Sequence, residues 1–171
     1  MLIVTFLVGL LAAGKTSVDL GGIFPGYRVT MPSGWRQYEP ERAWFVFVDL
    51  PPGVSLARGA ILPRGYASIM IDSEKADQIR LLTDKRWCER CEELPNFVVT
   101  EKTREELQPL RAFRCVEPAY PNGERLINVS QLFLFRGHYF VAILKYWASD
   151  HDIAKHEKDF RLFLAGVHMV M

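Results

Sequence analysis

Residues 125–147, "RLINVSQLFLFRGHYFVAILKYW", constrain this chain more than any other stretch. Two long runs rich in β-branched and aromatic residues flank Arg136-Gly137-His138, which together predict a β-hairpin. Earlier segments carry the same period of two. In "GYRVTMPSGW", Tyr27, Val29 and Met31 alternate with Arg28 and Thr30, and Pro32-Ser33-Gly34 supplies the turn. A second strand is predicted over 43–50, stopped by Pro51-Pro52-Gly53. In a third, Tyr66, Ser68, Met70 and Asp72 face away from Ala67, Ile69 and Ile71. A fourth starts near Phe97. A fifth, "LRAFRCVEPAY", ends at the Asn122-Gly123 turn signal.

Two segments have helical character. Ser73 is placed to cap a helix beginning near Glu74 and running towards Leu94, where Pro95 and Asn96 stop it. The last segment, "SDHDIAKHEKDFRLFLAGV", forms an amphipathic helix capped by Ser149 or Asp150, with Ile153, Phe160, Phe163, Leu164 and Val167 on one stripe. Runs of strands with few helices define an α+β class: a mainly antiparallel sheet flanked by helices that bury their stripes on it.

The 171 residues suit one domain with a substantial core, and 49% apolar with 24% charged residues is ordinary for a globular chain. The 21 basic and 20 acidic residues give a formal charge of +1, which lacks the electrostatic footprint of nucleic-acid binding. After the N-terminus no apolar run is long enough for a stable membrane span.

The N-terminal stretch "LIVTFLVGLLAAGKTSV" admits two readings. Gly9, Gly14, Lys15 and Thr16 match the phosphate-loop pattern G-x-x-x-x-G-K-[ST]. That loop needs a sustained helix after it, and Gly21, Gly22, Pro25 and Gly26 deny one. Residues 2–13 also form an apolar core of signal-peptide length, with Ala12-Ala13-Gly14 offering small residues for cleavage. No basic n-region precedes them. Lys15 stands where a lipoprotein box needs cysteine, so lipid attachment is not supported. The favoured division is an export segment at residues 1–20 and one α+β domain at residues 21–171, exported to the periplasm or secreted.

Residues 26–35, "GYRVTMPSGW", resemble the "f-x-v-x-x-P-x-G-W" strand and turn that open PsbP-like domains. That group takes in the extrinsic photosystem subunit, bacterial DcrB-like periplasmic proteins and a Ran-binding relative. Residues 113–148 resemble the group's late strands around a long hairpin, and residues 152–167 its closing helix, so the resemblance covers about residues 26–167. It implies an α/β/α sandwich around an antiparallel sheet, and a binding or assembly role without catalysis or cofactor. Pro32, Gly34 and Trp35, which carry much of it, are turn and core residues.

The sequence "RWCERC" places Cys88 and Cys91 in a W-C-x-x-C arrangement, with Cys115 further on. A redox pair needs its first cysteine at a helix N-terminus, whereas this pair falls late in a predicted helix among Glu89, Glu92 and Glu93. A structural disulfide between two of the three is expected, with Cys115 as one partner, since cysteines three apart in a helix do not bridge easily. Zinc is poorly served, because three cysteines need a distant fourth ligand. His151, Asp152, His156 and Asp159 look like a ligand cluster but read as a capped, solvated first helical turn. No residue is assigned a catalytic, cofactor or metal role. Tyr139 and Tyr146 on the hairpin are candidate partner-surface aromatics. The expectation is therefore a non-catalytic exported PsbP/DcrB-like protein that binds a protein or envelope component. The alternatives are thiol–disulfide redox chemistry through Cys88 and Cys91, or nucleotide binding through the Gly9–Thr16 pattern.

Overall fold

The hairpin, richest in β-branched and aromatic residues, forms the middle of the fold. A computed structural model describes residues 16–22, 24–41, 44–51, 53–54, 62–74, 88–97 and 107–170. The hairpin strands are β8 (Leu126–Phe135) and β9 (His138–Trp147). Arg136 and Gly137, at φ 47° and 81°, make the two-residue turn whose positive dihedrals match the twist of its strands. Around them lie β3 (Arg36–Glu41), β4 (Trp44–Val48), β5 (Ser68–Glu74), β6 (Arg90–Leu94) and β7 (Leu107–Val116). These seven pair antiparallel in the order β3-β4-β5-β9-β8-β7-β6. A smaller sheet, β1-β2-β10, joins β1 (Ser17–Asp19), β2 (Tyr27–Thr30) and β10 (Val167–Met169). Among the described residues the one helix is α1 (Ile153–Ala165). The α+β class with a mainly antiparallel sheet is what the structure shows.

The register assigns the two faces of the large sheet. Phe47 pairs Ile69, Ile69 pairs Leu144 and Leu144 pairs Val129, all fully buried on the side that α1 covers. Phe163 meets Phe47 at 5.0 Å and Phe160 meets Phe97 at 5.2 Å between ring centroids. The small sheet closes the hairpin end, where Phe24 contacts Phe140 at 4.3 Å and Tyr27 lies edge-on to Phe135. Each such buried aromatic or aliphatic side chain contributes about 1.5–3 kcal/mol by leaving water.

Four sequence expectations change. Ser73 and Glu74, the expected cap and start of a helix, end strand β5 paired to β9, and residues 90–94 are strand β6, not the end of that helix, because they pair with β7; residues 75–87 between them lie outside the described residues. Phe97 is buried but irregular, and most of the strand expected from it (98–106) also lies outside them. The helix α1 stops at Ala165, and Val167 belongs to β10, paired to Val29. Neither Ser149 nor Asp150 caps it: Asp152 holds the cap position without a side-chain cap bond, while Asp150 is turned inward.

At the N-terminus, residues 1–15 are outside the described set. Thr16 leads into strand β1 rather than the helix a phosphate loop needs: the Thr16 carbonyl accepts the Met31 N–H, and Leu20 is fully buried. The residues assigned to export therefore overlap the small sheet at 16–20.

Candidate functional site

The face of the sheet opposite α1 carries the chemistry. Antiparallel pairing sets one residue of each strand opposite its neighbour, about 4.8 Å apart. One such row runs Arg36, Val48, Ser68, Lys145, Asn128, Cys115, Cys91 across all seven strands. The next row contains Val46, Met70, Ile143 and Ser130. Ser68, Lys145, Asn128 and Cys115 of the first row, together with the second, floor an open cleft of about 720 Å³, polar along one side and apolar along the other, with Pro118, Ala119 and Tyr120 of the β7–β8 loop as its rim.

Glu117 organises the polar side. Its Oε1 pairs with Lys145 Nζ at 2.8 Å and accepts a hydrogen bond from Asn128 Nδ2 at 2.6 Å. A carboxylate only accepts, so this contact fixes the amide orientation and turns Asn128 Oδ1 the other way. That oxygen is buried and accepts no hydrogen bond. A buried acceptor without a donor costs about 1–3 kcal/mol, which an incoming N–H or O–H would recover.

Cys88 and Cys115 line the same cleft and form a small apolar cluster with Phe113. Cys91 faces Cys115 across the ladder, and the three sulfurs lie within 4.8 Å of one another. The sequence grouped these cysteines correctly, but its helical reason for doubting a Cys88–Cys91 contact does not apply to a strand.

The two tyrosines separate. Tyr139 is half-buried near the hairpin turn, outside the cleft lining. Tyr146 is not a surface residue: it is 1% exposed, faces α1, and donates to Glu157 Oε1 at 2.9 Å beside Arg114 at 2.7 Å. Burial, followed by the Glu157 hydrogen bond and charge, pushes its phenol well above the ordinary value. Alternation placed it on one of two faces, and parity alone did not say which face α1 would cover.

The His and Asp residues near α1 also divide. His151 and Asp152 are exposed, as a solvated turn requires, whereas His156 is fully buried and Asp159 nearly so. Asp159 accepts the Trp35 indole N–H at 2.9 Å and pairs with Lys155 at 3.1 Å. Burial pulls the Lys155 ammonium down, but the Asp159 and Asp49 carboxylates outweigh it and raise it. The His156 ring stacks on Tyr146, with Nε2 3.4 Å from Asp150 and Nδ1 3.8 Å from Asp49. The two nitrogens face different carboxylates but make a hydrogen bond with neither. Lys145, Glu117 and Asn128 were missed; the available signal was polar Asn128 and Ser130 at alternate positions of a mostly apolar strand.

A seven-stranded antiparallel sheet backed by a helix resembles the α+β arrangement that the "PSGW" turn implied. No family model matches the chain, and no curated protein matches it. Among solved structures it is similar to the Ran-binding protein Mog1p of Saccharomyces cerevisiae, at 13% identity and TM-score 0.53, over 93% of this chain and 97% of that one. It is also similar to cyanobacterial PsbP (CyanoP) of Synechocystis sp. PCC 6803, at 13% identity and TM-score 0.44, over 94% and 95%. A third likeness, to a Bacteroides thetaiotaomicron protein, has 14% identity and TM-score 0.49; it covers 93% of this chain, which spans about half (49%) of that protein. At 13% identity the likeness to Mog1p shows the fold alone. No helix among the described residues is long and apolar enough to cross a membrane.

Proposed function

We propose that this chain is an exported, non-catalytic PsbP/DcrB-like accessory protein of the cell envelope that binds a protein partner in the cleft opposite α1. Asn128 carries the reading: its buried, unpartnered oxygen sits in the polar row beside the Glu117–Lys145 pair, with Val46, Met70 and Ile143 alongside. An apolar strip beside a few fixed polar groups suits a polypeptide, whose backbone N–H reaches Asn128 while its side chains cover the strip. Support for a protein partner comes from the fold shared with Mog1p, itself a Ran-binding protein. Support for export comes from the signal-like residues 2–14.

Site-specific photocrosslinking in the producing cell tests the site. A benzophenone amino acid at Tyr120, on the cleft rim, is expected to give a discrete adduct with one protein; the same group at exposed Arg161 on α1 gives none. Equal adducts from both positions, or none from Tyr120, defeat the cleft assignment. N-terminal sequencing of the envelope fraction tests the export half, and an intact Met1 there refutes cleavage.

A further inference from the structure

The first turns of α1 sit against a cluster of buried charge that the binding reading does not use. Asp49 just after β4, Asp150 in the β9–α1 turn and Asp159 on the helix have side chains 6%, 2% and 13% exposed. Each carboxylate is fixed as an acceptor. Asp49 Oδ1 takes the Ala67 N–H at 2.7 Å, Asp150 takes the Gly65 and Trp147 N–H groups, and Asp159 takes the Trp35 indole N–H. Donors aimed at a carboxylate favour its ionised form. Lys155 serves Asp159 at 3.1 Å and reaches Asp49 only at 3.5 Å. Among the described residues, these three carboxylates therefore share one lysine.

His156 lies between two of them, fully buried, with Nε2 3.4 Å from Asp150 Oδ2 and Nδ1 3.8 Å from Asp49 Oδ2. Neither nitrogen has a hydrogen bond, so both contacts act through charge. A neutral imidazole carries one N–H and one lone pair. With a carboxylate at each nitrogen, either tautomer turns its lone pair towards a negative oxygen; an imidazolium turns an N–H to both. The remaining groups around the ring leave this balance in place. Glu157 is engaged by Arg114 and Tyr146, whose phenol is raised above its ordinary value by burial and stays neutral. Arg64, next to Gly65, pairs with Glu124, and His151 and Asp152 at the start of the helix are exposed. A second cation brings the cluster closest to neutrality, and buried charges left without a partner are costly.

We propose that His156 is a protonated latch: as an imidazolium it ties α1 to Asp49 and Asp150, and loss of its proton loosens the helix from β4 and the β9–α1 turn. The direction follows from linkage. A histidine in the unfolded chain gives up its proton near about pH 6.5, while the folded ring keeps it between two carboxylates. The latch therefore acts in full below that pH and is lost as pH rises until the folded ring also releases its proton. Acid tightens the helix and alkali loosens it, well before Tyr146 ionises.

The test reads the ring directly in the full, unsubstituted chain labelled with nitrogen-15 histidine. At about pH 7.5, both ring nitrogens of His156 are expected to carry protons while exposed His151 is neutral. An unprotonated His156 nitrogen at that pH overturns the proposal. His156→Gln, a neutral side chain of similar reach, supplies the second measurement. From about pH 6 to about pH 9 the unfolding equilibrium constant of the wild type, taken from urea titrations, should rise about ten-fold or more, and most of that rise should be absent from His156→Gln. Equal pH slopes in the two proteins refute the latch, even where the variant is the less stable at every pH. The ring spectra need no variant to fold.

Discussion

Replacing Asp150 by Ala should cost far more stability than replacing Asp152, although Asp152 occupies the helix cap. At a cap, Asp→Ala typically costs about 1 kcal/mol because the side chain satisfies a free N–H of the first turn. The Asp152 side chain makes no such bond and is exposed, so Asp152→Ala should change stability by less than about 0.5 kcal/mol. Asp150, two residues earlier, has its side chain 2% exposed. Its Oδ1 accepts the Gly65 N–H at 2.8 Å; its Oδ2 accepts the Trp147 N–H at 3.3 Å and faces His156. Losing a charge-assisted bond to a backbone donor costs about 1.5–3 kcal/mol, and the longer Trp147 bond adds about 1 kcal/mol. The expected loss is about 2.5–4 kcal/mol. For a domain of this size that lowers the melting temperature by roughly 10 °C. Urea titration followed by the fluorescence of buried Trp35 and Trp147 measures both variants, with an unchanged m-value as the check on two-state behaviour. Equal losses, or a larger loss in Asp152→Ala, would refute the claim that Asp150 locks the β9–α1 turn.

Tyr146→Phe should cost about 1 kcal/mol at neutral pH by removing the bond to Glu157. Because the folded phenol is raised above its ordinary 10.0, the unfolded chain ionises first; stability is full below that pH and falls as pH rises past it. The Phe variant should show a shallower alkaline loss in urea midpoints taken on both sides of that value. Gln131→Leu should cost about 2–3 kcal/mol, since the fully buried Gln131 accepts the Phe97 N–H at 2.8 Å and donates to Asn96, Arg111 and Leu132; faster exchange of the Phe97 amide is the local readout. Gly166→Ala should cost about 1–3 kcal/mol despite an ordinary φ of −80°, because a Cβ there meets the Thr30 carbonyl; a thermal melt shows it.

What could be read from the sequence follows from which patterns are local. The period of two in residues 66–72 and the β-branched and aromatic richness of 126–147 identified strands because both are local patterns, while which face α1 would cover is not. Residues 90–94, "RCEEL", have no such alternation and are exposed throughout except at Leu94, so only pairing with β7 reveals a strand. The same holds for β10: Val167 continues the helical stripe by spacing, and the β2 edge captures it instead. His156 and Asp159 read as solvated because charge near a helix start usually is. They are buried because Trp35 and Asp49, remote in sequence, and Asp150 in the turn before the helix lie against them. The three cysteines were grouped by composition, but their order of exposure depends on β6 lying at the end of the sheet.

The cleft and its cysteines follow from the same register as the core. A one-residue slip of β8 against β9 would move Val129 from under α1 into the cleft and replace Asn128 in the polar row, so the two layers cannot vary independently. Substitutions on the two faces should therefore have separable effects. Changes beneath α1, such as at Leu144 or Phe163, remove buried apolar contacts and lower stability. Changes in the row at Lys145, whose side chain is 38% exposed, remove an ion pair of little thermodynamic weight. What Lys145→Ala does is release Glu117, whose Oε1 also orients the Asn128 amide. Its stability should stay within about 0.5 kcal/mol of wild type, while crosslinking from Tyr120 falls. A variant that lost crosslinking only in proportion to its stability would show that Asn128 orientation is incidental to binding.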